Sequence, residues 1–260
     1  MFTDLGHEVN RKYFEVYMRF LCIWIIIFLL LPTGFLKAQY SMGTTGFLNI
    51  PSADMQPDGT FMGGGNYLPK QMLPSSWGYN TGNYFVNMTF LPFLEVAYRC
   101  TLLRGEFKAG SKWQQDRSVS VRLRPLKETK WWPSIVLGSN DAFTTNQLNM
   151  FGEVGKNRFF SSVYGVATKH IFLSGHDLGI TFGINVPFSK NSYKQGVFAG
   201  ISYSPAFFRP LTMMMEYDTT DAVNIGVAAR LFNHLSLHAF CYDFKTVSAG
   251  IRYEIQLIKR

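Results

Sequence analysis

The stretch Val-Ser-Ala-Gly-Ile-Arg-Tyr-Glu-Ile-Gln-Leu, residues 247–257, decides the fold of this chain. Its odd positions are all apolar, whereas its even positions are glycine, polar or charged and include Arg252 and Glu254. Because successive side chains of a β-strand point to opposite faces, this order gives one apolar and one polar face, which a helix would not do. A tilted strand needs about 9–11 residues to cross a bilayer. The stretch therefore predicts a transmembrane strand.

The same alternation recurs along the chain and predicts about twelve strands. The predicted strands are residues 60–68, 83–90, 94–102, 118–124, 135–140, 160–170, 178–186, 197–204, 211–218, 223–231, 235–242 and 247–257. Residues 108–115 and 141–157 are predicted loops. We expect an all-β fold, an antiparallel up-and-down transmembrane β-barrel that occupies residues 60–260 as one domain. A soluble β-sandwich or barrel, which would bury the same apolar faces in a core, is the main alternative.

Composition agrees with a membrane barrel. Of the 260 residues, 47% are hydrophobic and only 16% are charged, against about 25% charged in a soluble domain. The mean hydropathy is +0.02, which is too low for a bundle of membrane helices. The net charge of +8 favours acidic polysaccharide or anionic lipid head groups over nucleic acid, because no dense Lys/Arg run with interleaved aromatic residues occurs.

The N-terminus carries a targeting signal. Residues 20–31 form an unbroken apolar run after Arg19, too short for a membrane helix of about 20 residues. A small residue, Ala38, then marks a cleavage position. Residues 1–38 are therefore predicted to be a cleaved secretory signal peptide. Met18, directly before Arg19, is an alternative start.

Charged side chains of the predicted strands fall on the polar faces. Lys or Arg on a lipid face at mid-bilayer costs about 2–4 kcal/mol each, so the polar faces must line the lumen. The predicted lumen-lining residues, with possible glycan contact, are Glu95, Arg99, Arg122, Arg124, Glu216, Asp218, Arg230, Arg252 and Glu254. Two interpretations stay open: these charges pair with one another in a narrow interior, or they contact a glycan chain.

Signals for catalysis and cofactors are weak. His234 and His238 are four residues apart, but on a strand this spacing separates them by about 13 Å. The turn at 174–177, Ser-Gly-His-Asp, has the residue types of a catalytic triad without its geometry. We expect no catalytic residue, no metal ligand and no cofactor.

Residues 39–59 are predicted to form an N-terminal arm or plug segment. Pro51 and Pro57 interrupt any strand ladder, and Asp58-Gly59 is a turn pair. Two positions fit such a segment: inside the barrel, or across its periplasmic end.

The same segment carries a family resemblance. Thr-Gly-Phe-Leu-Asn-Ile-Pro-Ser-Ala at 45–53, followed by Pro-Asp-Gly-Thr-Phe at 57–61, resembles the opening of the YjbH-type exopolysaccharide biosynthesis and export proteins. Weaker matches at 93–99, 137–141 and 216–218 extend the resemblance over most of the predicted mature chain. The residues that carry the opening motif are Thr45, Gly46, Asn49, Pro51, Ser52, Ala53, Asp58 and Gly59.

The resemblance implies a Gram-negative outer-membrane barrel that serves export or assembly of exopolysaccharide or capsule and is not an enzyme. Its expected partners are outer-membrane lipid, exopolysaccharide and other proteins of the export machinery. The larger members of the family are much longer, so this chain should contain only part of their architecture. The alternative functions are a general small-solute porin and a purely structural barrel, with an enzyme acting on surface glycans ranking third.

Overall fold

The structure, a computed structural model, describes residues 40–107, 110–144, 159–188 and 194–258. Within these ranges, twelve antiparallel strands form one closed barrel in which neighbours in sequence pair and β1 pairs with β12. The strands are β1 (Thr60–Leu68), β2 (Thr81–Phe90), β3 (Leu94–Phe107), β4 (Gly110–Leu126), β5 (Ser134–Thr144), β6 (Ser162–Leu173), β7 (His176–Pro187), β8 (Gly196–Ser204), β9 (Leu211–Tyr217), β10 (Val223–Leu231), β11 (Leu235–Tyr242) and β12 (Thr246–Gln256). The predicted twelve-stranded all-β barrel is confirmed. The predicted leader, residues 1–38, lies outside the described residues.

Side chains alternate between an apolar exterior and a polar interior. In β12, Val247 and Ile251 are 59% and 49% exposed, whereas Ser248 and Arg252 are 0% and 1% exposed. A soluble barrel would show the reverse, because water would face the polar side chains. The apolar exterior is that of a transmembrane β-barrel. Within the described ranges, no helix has the length and hydrophobicity that a membrane crossing requires.

The two ends of the barrel differ in their connections. At the near end, where β1 begins and β12 ends, the connections are short, and the longest is 127–133. At the far end lie the longer connections 69–80 and 145–161, the first of which contains a 3-10 helix at Lys70–Met72.

The predicted loop at 108–115 was wrong for most of its length. β4 already begins at Gly110, and Leu102 pairs with Gln115 across the β3–β4 hairpin. Alternation fails there because consecutive residues such as Gln114 and Gln115 are both polar and both exposed. A hairpin that meets water on both faces needs no apolar face. The predicted loop at 141–157 likewise begins too early, since β5 extends to Thr144.

Inward-facing aromatic rings lie directly over glycines of the neighbouring strand. A Cβ atom added at Gly64 would lie 2.7 Å from Phe85 Cζ and 2.3 Å from the Ile251 carbonyl oxygen. Such pairs use the space that glycine leaves and fix the strand register. The cross-strand pairs of this kind are Gly64–Phe85, Gly138–Tyr164, Gly183–Phe198 and Gly226–Phe240.

Residues 40–58, which we call the lumenal segment, lie inside the barrel. Every residue from 40 to 53 is buried, and a bridge between Gly46 and Pro51 closes a small hairpin. The tip of this hairpin carries Leu48 and Ile50, both 0% exposed. The sequence left two positions open for this segment, inside the barrel or across its periplasmic end. In the structure it lies within the lumen.

Candidate functional site

The near anchor of the lumenal segment is an ion pair between Glu95 of β3 and Arg122 of β4. The two residues are cross-strand partners, and their side chains are both fully buried, with Arg122 Nη1 3.3 Å from Glu95 Oε2. The other carboxylate oxygen, Oε1, accepts hydrogen bonds from the Thr45 backbone N–H at 2.7 Å and from Asn87 Nδ2 at 2.6 Å. Each of these hydrogen bonds is assisted by the charge of the carboxylate.

Arg122 also binds the backbone of the lumenal segment directly. Its guanidinium donates to the carbonyl oxygens of Thr45 and Ser52 and, at 3.0 Å, to that of Asp54. The fork of donors that arginine presents suits several acceptors at once. Arg122 therefore holds both arms of the small hairpin, and Glu95 balances its charge.

The far anchor lies at the other end of the hairpin, around Asn49. The Asn49 backbone N–H donates to Glu216 Oε1 at 3.0 Å, and its side-chain amide donates to Asp218 Oδ2 at 2.5 Å. Asn224 donates to the same two carboxylates at 2.8 and 3.1 Å. Lys194 is the last member of the far anchor, and its Nζ donates to Asn49 Oδ1 at 2.5 Å. One asparagine of the segment thus binds two acids and one base of the barrel.

Lys194, which precedes β8, is a titratable part of the far anchor. Burial lowers the pKa of its ammonium group from an ordinary value of 10.5 to about 8, although Asp218 and Glu216 act in the opposite direction. Between pH 8 and 10.5 the unfolded chain therefore binds more protons at this position than the folded chain does. The contribution of Lys194 to stability accordingly rises with pH across this window and is constant below it.

Arg99 of β3 is also buried and contacts both the segment and the far end. Its guanidinium donates to Ser118 Oγ at 3.0 Å and contacts Met42 Sδ at 2.8 Å. The Cζ atom of Arg99 lies 4.2 Å from the centre of the Phe160 ring, a cation–π geometry.

The remaining predicted charges lie towards the near end. Glu254 pairs with Arg230 and, at 3.3 Å, with Arg252. Arg124 is only partly buried and donates to the Pro92 carbonyl oxygen in the turn after β2. Some of the predicted charges therefore pair with one another, and several bind the protein's own lumenal segment; their contact with a glycan stays a prediction.

Several residues that hold the lumenal segment were not predicted from sequence. Apart from His170, which lies between the carboxylates of Asp54 and Asp177, they are uncharged side chains of inward positions, and a list of predicted charges therefore omits them. Asn83 and Asn87 donate to the carbonyl oxygens of Ser41 and Gly43 at 2.7 and 2.8 Å. Ser134 Oγ donates to the Ala53 carbonyl oxygen, the Ala53 backbone N–H donates to Thr168 Oγ1, and His170 Nε2 lies 3.1 Å from Asp54 Oδ1. Their place at inward-facing positions of the alternating strand pattern is the sequence signal that could have identified them.

The opening motif supplies the segment side of both anchors. Thr45, Ser52 and Asn49 make the contacts described above. Gly46 is packed against the backbone, since an added Cβ atom would lie 2.6 Å from the Ile50 carbonyl oxygen. Gly59 has a positive φ of 75°, and its N–H donates to the Thr89 carbonyl oxygen at 2.9 Å. Pro51 forms the hairpin bridge, the Ala53 backbone bonds to β5 and β6, and Asp58 stands in the turn before β1.

Aromatic rings cover the far end of the lumen. Trp77, in the connection between β1 and β2, is 4% exposed and stacks on Tyr79 with ring centres 5.9 Å apart. Its ring also meets the edges of Phe159 and Phe160 at 5.3 and 6.1 Å. We call these four residues the aromatic lid.

The described part of the chain contains no group of three or more His, Cys, Asp or Glu residues arranged to hold a metal ion. What the lumen presents are carboxylates, guanidinium groups and amides that bind an extended chain through its polar groups. This chemistry suits recognition of a polymer backbone by hydrogen bonds.

No curated protein matches this chain. Among solved structures, an outer membrane channel from Pseudomonas putida F1 matches with a TM-score of 0.40 and 10% sequence identity, over 80% of this chain and 98% of that chain. The family model YjbH, described as exopolysaccharide biosynthesis protein YbjH, matches residues 38–187, more than half of the chain. The protein therefore belongs to the YjbH family of exopolysaccharide biosynthesis proteins.

Proposed function

We propose that this protein is an outer-membrane β-barrel that takes part in the export or assembly of an exopolysaccharide or capsule and that it is not an enzyme. Family membership supports the link to exopolysaccharide. The apolar exterior of the closed barrel supports the membrane location.

The observation that carries the transport part of the proposal is how the lumen is filled. The lumenal segment is bound by side chains of the wall at the near and far anchors, and its residues Gly46 and Pro51 form a β-bridge with each other. The strand ladder of the barrel closes between β1 and β12. Its release would therefore leave the strand ladder of the barrel intact. A barrel of this design can be closed at rest and opened for a substrate.

The orientation follows from the connections. Outer-membrane barrels have short periplasmic turns and longer external loops, so the near end faces the periplasm and the aromatic lid faces outward. Exopolysaccharide and other proteins of an export apparatus would approach from the near end.

A purely structural barrel is the second candidate, because residues 40–53 are all buried in the lumen. A general porin requires a continuous open lumen, which the packed segment does not provide. Conductance of the purified protein in planar bilayers separates these functions, since a porin gives stable open pores without any change to the chain.

A deletion strain tests the proposed function. We expect less surface polysaccharide than in the parent strain, and we expect full restoration by the wild-type gene. Restoration by the Lys169→Met variant, which removes a partly exposed ion pair with Glu128 and a hydrogen bond to the Thr129 carbonyl oxygen on the outside of the barrel, provides the matched control. Unchanged polysaccharide in the deletion strain would contradict the proposal.

A further inference from the structure

A cavity with several polar lining residues lies at the near end, between the lumenal segment and strands β10 and β12. Its volume is about 270 Å³, and its walls include Gln56, Arg230, His234 and Glu254. At roughly 30 Å³ per water molecule, the cavity has room for about nine waters, which is the scale of one sugar unit. It is separate from both anchors of the segment.

Gln56 presents an unused hydrogen-bond donor to this cavity. The residue is 3% exposed, and its Nε2 atom has no hydrogen-bond partner among the described residues. A buried amide donor without a partner is costly, so such groups are normally satisfied by protein, water or ligand. An amide N–H requires an acceptor oxygen.

The charge around the cavity favours an anionic ligand. Arg230 and Arg252 share the single carboxylate of Glu254, which leaves one positive charge in excess. The Nε atom of Arg230 is buried and also has no hydrogen-bond partner within the described ranges. His234 is fixed beside them, with its Nδ1 2.9 Å from the Glu254 carbonyl oxygen. Glu254 Oε2 likewise has no hydrogen-bond partner among the described residues, but it is held by the ion pair with Arg252, and the three charged groups together carry a net positive charge.

We propose that this cavity binds an acidic sugar unit of the polysaccharide, with a carboxylate against Arg230 and a ring or hydroxyl oxygen against Gln56. Arginine suits the carboxylate because its guanidinium presents several donors in one plane. The proposal rests on the proposed function and specifies the class of its substrate. At the near end, the cavity would meet the polymer before the lumenal segment does.

The test is calorimetric titration of the full detergent-solubilised protein with trigalacturonate, with neutral maltotriose and inorganic phosphate as comparison probes. We expect binding of trigalacturonate and at least about tenfold weaker binding in Gln56→Leu and Arg230→Met, because each variant removes a donor to the ligand. Arg230→Met leaves Glu254 paired with Arg252, so the barrel should still fold. Lys169→Met is the control and should bind like the wild type.

Each alternative outcome overturns the proposal. If trigalacturonate does not bind, or binds equally to the wild type and both variants, the cavity is not its site. If maltotriose binds as tightly as trigalacturonate, the cavity does not recognise the acidic group. If inorganic phosphate binds as tightly as trigalacturonate, the cavity does not recognise the sugar ring. If trigalacturonate does not bind but the deletion strain has a polysaccharide defect, the proposed function stands and the proposed site is wrong. If trigalacturonate binds but the deletion strain has no polysaccharide defect, the site stands and the proposed function is wrong.

Discussion

Replacing Arg122 by methionine should release the lumenal segment without opening the strand ladder. The side chain of Arg122 is fully buried and joins Glu95 to three carbonyl oxygens of the segment. Its contribution to the barrel itself is small, because the strands are joined by backbone hydrogen bonds. Removing one member of a buried ion pair costs about 3–5 kcal/mol, since the remaining charge is left uncompensated. We expect this cost to fall on docking of the segment.

The assay is single-channel conductance of purified protein in planar bilayers. We expect the wild type to be mostly closed and Arg122→Met to show frequent openings of the size seen in a variant that lacks residues 40–56. Lys169→Met is the matched control, because its partly exposed ion pair with Glu128 is worth only about 0–1 kcal/mol. Gel mobility before and after heating checks that each barrel is folded.

Two results would refute this reasoning. If the truncated variant conducts and Arg122→Met stays as closed as the wild type, Arg122 does not hold the segment. If the wild type conducts as well as the truncated variant, the segment does not close the lumen. Glu95→Gln in the Arg122→Met background should recover part of the loss, because it removes the uncompensated carboxylate.

Three further perturbations test the exterior, the packing and the far anchor. Phe182→Lys should lower the free energy of unfolding in lipid by about 2–4 kcal/mol, and Phe207→Lys, in a near-end turn, by only about 0–1 kcal/mol; equal urea midpoints for both would argue against a lipid-facing exterior. Gly64→Ala should destabilise by about 1–3 kcal/mol through overpacking, whereas Gly78→Ala, which has open space around it, should melt like the wild type. Lys194→Met should remove a rise in stability between pH 8 and 10.5 that the wild type shows in urea titrations; an unchanged rise would exclude Lys194 as its source.

The fold could be predicted because its signal is local. Each strand is recognised from a short run of consecutive residues, and the bounds of β1, β10 and β11 agree with the predicted ones. The closed order of strands follows from short connections between neighbours. The prediction was wrong in the β3–β4 hairpin, where a loop was expected at residues 108–115. Both faces of this hairpin meet water, so the alternation that marks a membrane strand is lost.

The lining of the lumen could be predicted for the same reason, but the partner of each lining residue could not. Parity within a strand determines that Glu95 and Glu216 face inward. What each one binds depends on contacts across 50 and 167 residues of sequence, to Thr45 and Asn49. No local pattern contains this information. The uncharged donors Asn83 and Asn87 were missed because their role exists only once a segment of chain lies beside them.

The physical chemistry of the two anchors indicates how the lumen can be both closed and openable. Charged wall groups lose hydration when the segment covers them and regain it if the segment leaves, so their contacts contribute less net stability than their short distances suggest. The apolar tip has no such compensation: Leu48 and Ile50 would each lose roughly 1.5–3 kcal/mol of burial on release. The tip residue Ile50 packs on Gly200 of β8, where an added Cβ atom would lie 2.9 Å from Ile50 Cδ1. The apolar tip therefore adds to the affinity of the segment for the lumen, while the charged wall groups fix its position. A polyanionic chain that competes for the charged groups would loosen the anchors before it displaces the apolar contacts.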